Sequence, residues 1–148
     1  MFVTLCVVTG AMATVRLIRD HTSTVLLATD AAMIAGGAEK YFRAQCSSGA
    51  LPIGVTTSTL VSQNFLTNAP QAPWGATWSV SFVQAPPRVL VSASVAASAV
   101  VAGEIGQETQ AVQVSGTTLT WSTLVRLAPT TSSAYNMLFE AMYETPNC

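Results

Sequence analysis

The N-terminal segment of 45 residues contains no proline, and this segment constrains the fold more than any other feature. Its first part, FVTLCVVTGAMATV from Phe2 to Val15, carries no charge. Further along, two sets of apolar residues recur at the 3.6-residue period of an α-helix. These sets are Ile18, Val25, Ala32 and Met33, and Leu27, Ala31, Ile34, Ala38 and Tyr41. The pattern predicts one long helix, roughly residues 3 to 45.

The two apolar stripes predict that this helix has two partners. One stripe can pack on a sheet through the C-terminal half of the helix, while the other needs a second surface. The simpler alternative is a fully buried helix in a small α+β domain. Gly36 and Gly37 weaken a helix by about 1 kcal/mol each relative to Ala, so they indicate a bend or a close contact between helix and sheet. We expect the N-terminal half to be exposed, because no sheet is long enough to cover it.

The uncharged N-terminal stretch has two interpretations. As a helix, Phe2 to Val15 would span roughly 21 Å, less than the roughly 30 Å of a bilayer core. It would then be the lower part of a membrane helix that starts upstream of Met1. Alternatively, Ala11-Met12-Ala13 has the small-x-small form of a signal-peptide cleavage site. The lack of a positive residue before the run favours the continuous helix.

After residue 45 the pattern becomes that of a small mixed domain. Thr56 and Thr57 open a short helix, and the alternation in 77–82 and 88–95 predicts two neighbouring antiparallel strands separated by prolines. Helical spacing returns in 94–109. Two further strands, in 111–114 and 117–125, are joined by a tight Ser-Gly turn. A last helix or irregular tail covers 133–143, where one helical face carries Tyr135, Leu138, Phe139 and Met142.

Charge and motif content argue against catalysis and nucleic-acid binding. Charged residues make up 9% of the chain and the net charge is -1, so the chain lacks a basic footprint for nucleic acid. Its one histidine, His21, lies in a helical run beside Arg19 and Asp20, which indicates a solvated or interface position. No nucleophile elbow, phosphate loop or zinc motif occurs. We therefore predict no catalytic residue, cofactor or metal, and an enzyme of unknown type is the minor alternative.

Short motifs in the middle of the chain resemble the type IV pilin family. Phe65-Leu66 stands where such proteins carry a Tyr-Leu step, and Pro73-Trp74-Gly75 stands for the turn before the sheet. Residues 102–106 (AGEIG) and Trp121 match a later Ile-Gly…Trp region. The pattern is most similar to type IVb minor pilins, including the N-terminal part of shufflon-type adhesin pilins of conjugative thin pili. The family's Gly-Phe-x-x-x-Glu processing site is missing here.

The resemblance implies an α+β, pilin-like fold in which a long N-terminal helix packs on an antiparallel sheet. Residues 1–45 would be the assembly helix and 46–148 the head domain. The chain would be a structural or minor subunit of a type IV pilus or a type II secretion-like pseudopilus. Its partners would be other pilin subunits, the bacterial inner membrane before assembly, and a cell-surface receptor; its location would be the inner membrane, the periplasm and the extracellular pilus. The assembly contacts would come from Phe2, Val3, Leu5, Val7, Val8, Val15 and Ile18.

Cysteine usage fits an oxidising compartment. A Cys46–Cys148 disulfide would close a loop of roughly 100 residues, worth about 4.7 kcal/mol in the chain-entropy model, and such a bond to the C-terminal region is common in type IV pilins. Cys6 is expected to be an ordinary buried apolar side chain. The alternative is three free thiols in a cytosolic protein.

A second function also stays open. The chain could be a small secreted β-rich, adhesin-like binding domain without a pilus, which cleavage after Ala13 would favour.

Overall fold

The computed structural model describes residues 2–47, 54–84 and 86–125, with side chains for 21–46, 54–84 and 86–125. In chain order the elements are α1 (Phe2–Ser47), α2 (Thr57–Ser62), a 3-10 turn (Pro73–Gly75), β1 (Thr77–Gln84), β2 (Pro87–Ser94), α3 (Ala99–Glu108), β3 (Gln113–Ser115) and β4 (Thr118–Leu124). The α+β class and the long N-terminal helix are confirmed. The predicted helix or tail at 133–143 lies outside the described residues.

The four strands form one antiparallel sheet in the order β1-β2-β4-β3. β1 and β2 are neighbours, as the alternation predicted, with Val80 opposite Val91. Pro87 begins β2, where its missing N–H removes no internal ladder bond. α3 connects β2 to the edge strand β3, and Gly116, with φ +59°, makes the tight turn into β4. The predicted Ser-Gly turn is therefore confirmed.

The C-terminal half of α1 packs across the sheet, chiefly on β2. Residues at odd positions of β2 face the helix and those at even positions face away, because successive side chains of a strand alternate sides. Aromatic rings close one end of this interface, where Phe42 and Phe82 lie 5.4 Å apart between ring centroids. The core between helix and sheet contains Leu27, Ile34, Ala38, Phe42, Val89, Val91, Ala93 and Leu119, all at most 1% exposed.

Hydroxyl side chains cap the N-termini of the two short helices. Thr56 accepts a hydrogen bond from the backbone N–H of Thr59 at the start of α2, and Ser98 accepts one from Val101 at the start of α3. These side chains satisfy N–H groups that a first helical turn leaves without partners. Helix α2 then buries Leu60 beside Leu66 and the C-terminal half of α1.

The two glycines of α1 have different surroundings. A Cβ on Gly37 would lie 2.6 Å from Leu66 Cδ2 and 2.9 Å from the Phe65 carbonyl oxygen, whereas a Cβ on Gly36 would meet nothing within 4 Å. The expected close contact therefore exists, but its partner is the loop at Phe65-Leu66 and not the sheet. This loop, which follows α2, packs on α1 because position 37 has no side chain.

These surroundings predict opposite effects for the same substitution. Gly36→Ala should raise the free energy of unfolding by about 1 kcal/mol, because Ala favours the helix and the site is open. Gly37→Ala should be the less stable of the two variants by about 1–3 kcal/mol, since overpacking forces the Phe65-Leu66 loop to move. Urea denaturation at equal m-values measures both. Equal midpoints for the two variants would contradict the contact.

Candidate assembly surface

The described part of α1 has one buried face and one exposed face. The stripe of Leu27, Ala31, Ile34 and Ala38 is buried against the sheet, with Tyr41 half-buried at its end. The other stripe, here called the outer stripe, faces away from the sheet. Val25 is 51% exposed and Met33 36% exposed, and Ala32 is also exposed. The prediction of two apolar stripes with different surroundings is thus confirmed for residues 24–42.

The outer stripe carries no charged residue over a long distance. Between Thr22 and Ala38 the single ionisable residue is Asp30, which is only 7% exposed. At 1.5 Å per residue this uncharged surface runs for about 25 Å. The next charged residue along α1 is Glu39, which forms an ion pair with Arg43 one turn later. An apolar, uncharged helix face of this length suits contact with another apolar surface.

The residues predicted to make the assembly contacts belong to the first turns of α1. Phe2, Val3, Leu5, Val7, Val8, Val15 and Ile18 all lie on the helical backbone of Phe2–Ser47. Their side chains are outside the described set, so their part in assembly stays a prediction. His21, the first side chain described, is exposed, in agreement with the solvated position expected for it.

Asp30 forms a hydrogen bond between the buried side of α1 and the loop that contains Gln71. Its carboxylate accepts a hydrogen bond from the backbone N–H of Gln71, while its second oxygen, Oδ2, has no hydrogen-bond partner. Burial raises the pKa of this carboxyl, and the bond from Gln71 lowers it by a smaller amount. The Gln71 carbonyl in turn accepts from Trp78 Nε1 at 2.8 Å. Asp30 and Trp78 therefore hold Gln71 from both sides.

The turn after Gln71 is held by a second set of contacts. Trp74 has the left-handed conformation (φ 57°, ψ 23°), which is costly for a residue with a side chain. Its carbonyl accepts a hydrogen bond from the Ala96 N–H at 2.8 Å. Its indole Nε1 is buried without a hydrogen-bond partner. The sequence marked Pro73-Trp74-Gly75 as a turn, and the structure confirms it, but the burial of Asp30 beneath it was not predicted.

The face of the sheet opposite α1 is covered with hydroxyl groups. One of them, Ser92 Oγ, is hydrogen-bonded to Thr120 Oγ1 across β2 and β4 at 2.9 Å. Arg88 is the one charge in the four strands, and beside it Val83 and Leu124 are exposed. The strand registers place on this face Thr77, Ser79, Ser81, Ser92, Ser94, Ser115, Thr118, Thr120 and Ser122.

Cys46 is disulfide-bonded and partly buried at the C-terminal end of α1. Its predicted partner Cys148 lies outside the described residues, so the pairing stays a prediction. Cys6 lies earlier on the same helix by 46 − 6 = 40 residues. That separation is about 60 Å along the axis, far beyond the roughly 6 Å between Cα atoms that a disulfide allows. The helix geometry thus excludes Cys6 as the partner of Cys46 within one chain.

Two properties of the described residues bear on the class of site. They contain no group of three or more His, Cys, Asp or Glu side chains that could hold a metal ion. In the same part of the chain, no helix has the length and hydropathy of a membrane span. In the described residues, the surfaces suited to contact with another molecule are the outer stripe of α1 and the hydroxyl face of the sheet.

Comparison with known protein families, with curated proteins and with solved structures found no match for this chain.

The buried carboxyl predicts a pH effect on stability. Because the folded-state pKa of Asp30 lies above its ordinary value of 3.8, the folded chain favours the protonated carboxyl more than the unfolded chain does. Its stabilising contribution is complete below pH 3.8 and is lost as pH rises through the folded pKa. Asp30→Asn has no charge to bury, and a buried unpaired polar group costs about 1–3 kcal/mol. The Tm of Asp30→Asn minus that of the natural chain should therefore rise between pH 3 and pH 7. A difference independent of pH would contradict the burial of this charge.

The cysteine pairing predicts a large effect of one substitution. Cys148→Ser should lower the free energy of unfolding by about 2–5 kcal/mol, or several degrees in Tm, because the unfolded chain loses a constraint. Calorimetry measures the shift, and peptide mapping without reductant should recover a Cys46–Cys148 cross-linked peptide. Cys6→Ser is the control and should leave that peptide in place. Three free thiols in the folded protein would rule out the bond.

Proposed function

We propose that this chain is a structural subunit of a type IV pilus or of a type II secretion-like pseudopilus, most similar to a type IVb minor pilin. It joins the filament through the N-terminal part of α1 and presents its sheet domain outward. Its partners are other pilin subunits, and it resides in the inner membrane before assembly. Contact with a surface receptor falls to the head domain. The proposal rests on the sequence motifs at Phe65-Leu66 and Pro73–Gly75 together with the geometry of α1.

The mismatch in length between α1 and the sheet carries the proposal. The helix has 46 residues, about 69 Å at 1.5 Å per residue. Among residues 21–46, whose side chains are described, the buried positions run from Thr24 to Phe42, about 27 Å, close to the length of an eight-residue strand. The helix from Phe2 to Ser23 adds roughly 33 Å that the strands are too short to cover. An apolar helix of this length needs a partner beyond its own sheet.

The outer stripe extends the same argument into the described residues. Val25, Ala32 and Met33 face outward on the very turns that pack on the sheet. Burial of this stripe against like helices would contribute roughly 25 cal/mol per Å² of apolar surface. A charge introduced there would lose its hydration without gaining a partner. Apolar burial therefore favours assembly through α1, and the absence of charge on the stripe avoids a desolvation penalty.

The hydroxyl face of the sheet supports a second candidate function. A sheet side rich in Ser and Thr, with exposed Val83 and Leu124 at one end, suits a small secreted adhesin-like domain without a pilus. In that case the face would contact a ligand and α1 would belong to a self-contained core. The two functions differ in whether the outer stripe of α1 is needed for assembly.

Charge substitutions on α1 separate the two functions. Val8→Glu and Val25→Glu should each abolish incorporation into filaments, because a carboxylate would be buried between helices. Deletion of residues 1–20 should give a soluble monomer with an intact sheet. Incorporation is measured in the sheared-filament fraction of producing cells, and the fold by circular dichroism.

Val100→Glu is the matched control, because Val100 is 74% exposed on α3, away from the outer stripe of α1. This variant should assemble normally. If Val8→Glu and Val25→Glu also assemble, or if the truncated chain fails to fold, the helix is part of the domain core and the secreted binding domain replaces the pilin subunit.

A further inference from the structure

We propose that copies of this chain meet head to tail through their sheet domains, with Arg88 of one copy placed between Glu104 and Glu108 of the next. The contact rests on the proposed function in one respect, since a filament holds neighbouring copies close enough for a small surface to be occupied. A second copy is the occupant because the domain carries charges of opposite sign on two separate surfaces.

The sheet domain has few charges, and they divide by sign between two elements. Residues 54–125 contain three charged side chains, namely Arg88 on β2 and Glu104 and Glu108 on α3. All three are exposed. In the part of the chain that the structure describes, none of the three takes part in an ion pair. The domain therefore presents one cationic and one anionic surface, each without a partner among the described residues.

The cationic surface combines an arginine with two apolar side chains. Val83 and Leu124 are directly opposite Arg88 on the neighbouring strands, and both are exposed. This Arg88 patch (Val83, Arg88 and Leu124) lies beyond Ser81 and Ser122, the last hydroxyl groups of the sheet face. Arginine is enriched at the centre of protein interfaces, where surrounding contacts exclude water from its hydrogen bonds. The patch has that composition.

The anionic surface is unfavourable for α3 by itself. Glu104 and Glu108 are one turn apart, and like charges at this spacing disfavour a helix. Glu108 also lies in the last turn of α3, where the helix dipole favours a cation, and that turn contains no basic residue. A cation from outside would relieve both effects. A guanidinium group suits this role, because its five N–H donors can serve two carboxylates.

The two surfaces lie on opposite faces of the sheet. α3 buries Ile105 in the same core cluster as Ala93 and Leu119, so it packs on the side of the sheet that faces α1. Arg88 is at an even position of β2 and points to the other side. The sheet thus separates these charges within one copy. An interface between unlike surfaces leaves one of each free at the ends, and it gives an open chain of copies where the rotation does not close.

Directed cross-linking of the full chain tests the contact. Leu124→Cys and Gln107→Cys are placed in separate copies with different tags, both with Cys6→Ser, and a short bismaleimide leaves the disulfide of Cys46 intact. Leu124 belongs to the Arg88 patch, and Gln107 is exposed on α3. In mixed filaments, links between unlike tags should exceed links between like tags about tenfold, because a head-to-tail contact joins unlike surfaces.

Charge reversal gives the second readout. Arg88→Glu should lower the yield of unlike-tag links roughly tenfold, because like charges then face each other. Glu104→Arg combined with Glu108→Arg should lower it equally. The chain with all three substitutions should restore the yield to within about twofold, since the charges are again complementary. Circular dichroism checks that each variant is folded.

Two variants serve as controls. Lys40→Glu is matched to Arg88→Glu, because it reverses an exposed cation that lies on α1. It should leave the cross-link yield unchanged. Val100→Glu adds a carboxylate one turn before Glu104, on the same side of α3, and should also keep the contact because it does not oppose Arg88.

Several results would overturn the contact. Equal yields with and without Arg88→Glu would do so while filaments remain, and the pilus function would stand. The same holds if the triple substitution restores nothing, or if Lys40→Glu lowers the yield as much as Arg88→Glu. Predominant links between two Leu124→Cys copies would show that sheets pair face to face. If the natural chain forms no filament, the pilus function fails, and the same cross-links in concentrated purified chain decide the contact.

Discussion

The burial of one face of α1 against β2 is the contact on which the rest of the structure depends. Leu27, Ile34 and Ala38 cover Val89, Val91 and Ala93, and all are fully removed from water. Because strands of eight residues end after about 27 Å, this contact cannot extend along a helix more than twice as long. The sheet therefore fixes how much of the helix belongs to the domain, and the outer stripe is the face of the same turns that points away from the sheet.

Two contacts to that helix help to hold the segment between α2 and β1. Leu66 rests on Gly37, where any side chain would collide with it, and Gln71 is bound by the Asp30 carboxylate. Both contacts lie within two turns of α1, on its buried side. The long segment between α2 and β1 thus contacts two residues of α1 with opposite properties, one without a side chain and one with a buried carboxyl group.

Much of this fold follows from short-range patterns in the sequence. The alternation of Trp78, Val80 and Phe82 predicts β1 because neighbouring residues of a strand point to opposite sides, and the spacing of Leu27, Ile34 and Ala38 predicts the buried helix face. Other features depend on residues far apart in sequence. The carboxylate of Asp30 is bound by Gln71, 41 residues later, and Leu66 packs on Gly37, 29 residues earlier. Asp30 did carry one local signal, as a lone charge between Thr22 and Ala38.

The hydroxyl face of the sheet has a consequence for how this domain meets other molecules. Its Ser and Thr side chains can bond to one another, as Ser92 and Thr120 do, and Arg88 is the one charge that its strands contribute. The outer stripe of α1 is likewise uncharged between Thr22 and Ala38, because the single ionisable residue of that range, Asp30, is buried. Dissolved salt screens interactions between charges over a Debye length of about 8 Å at physiological ionic strength. Contacts made through either surface contain almost nothing to screen, so charge screening changes their strength little between dilute and physiological salt.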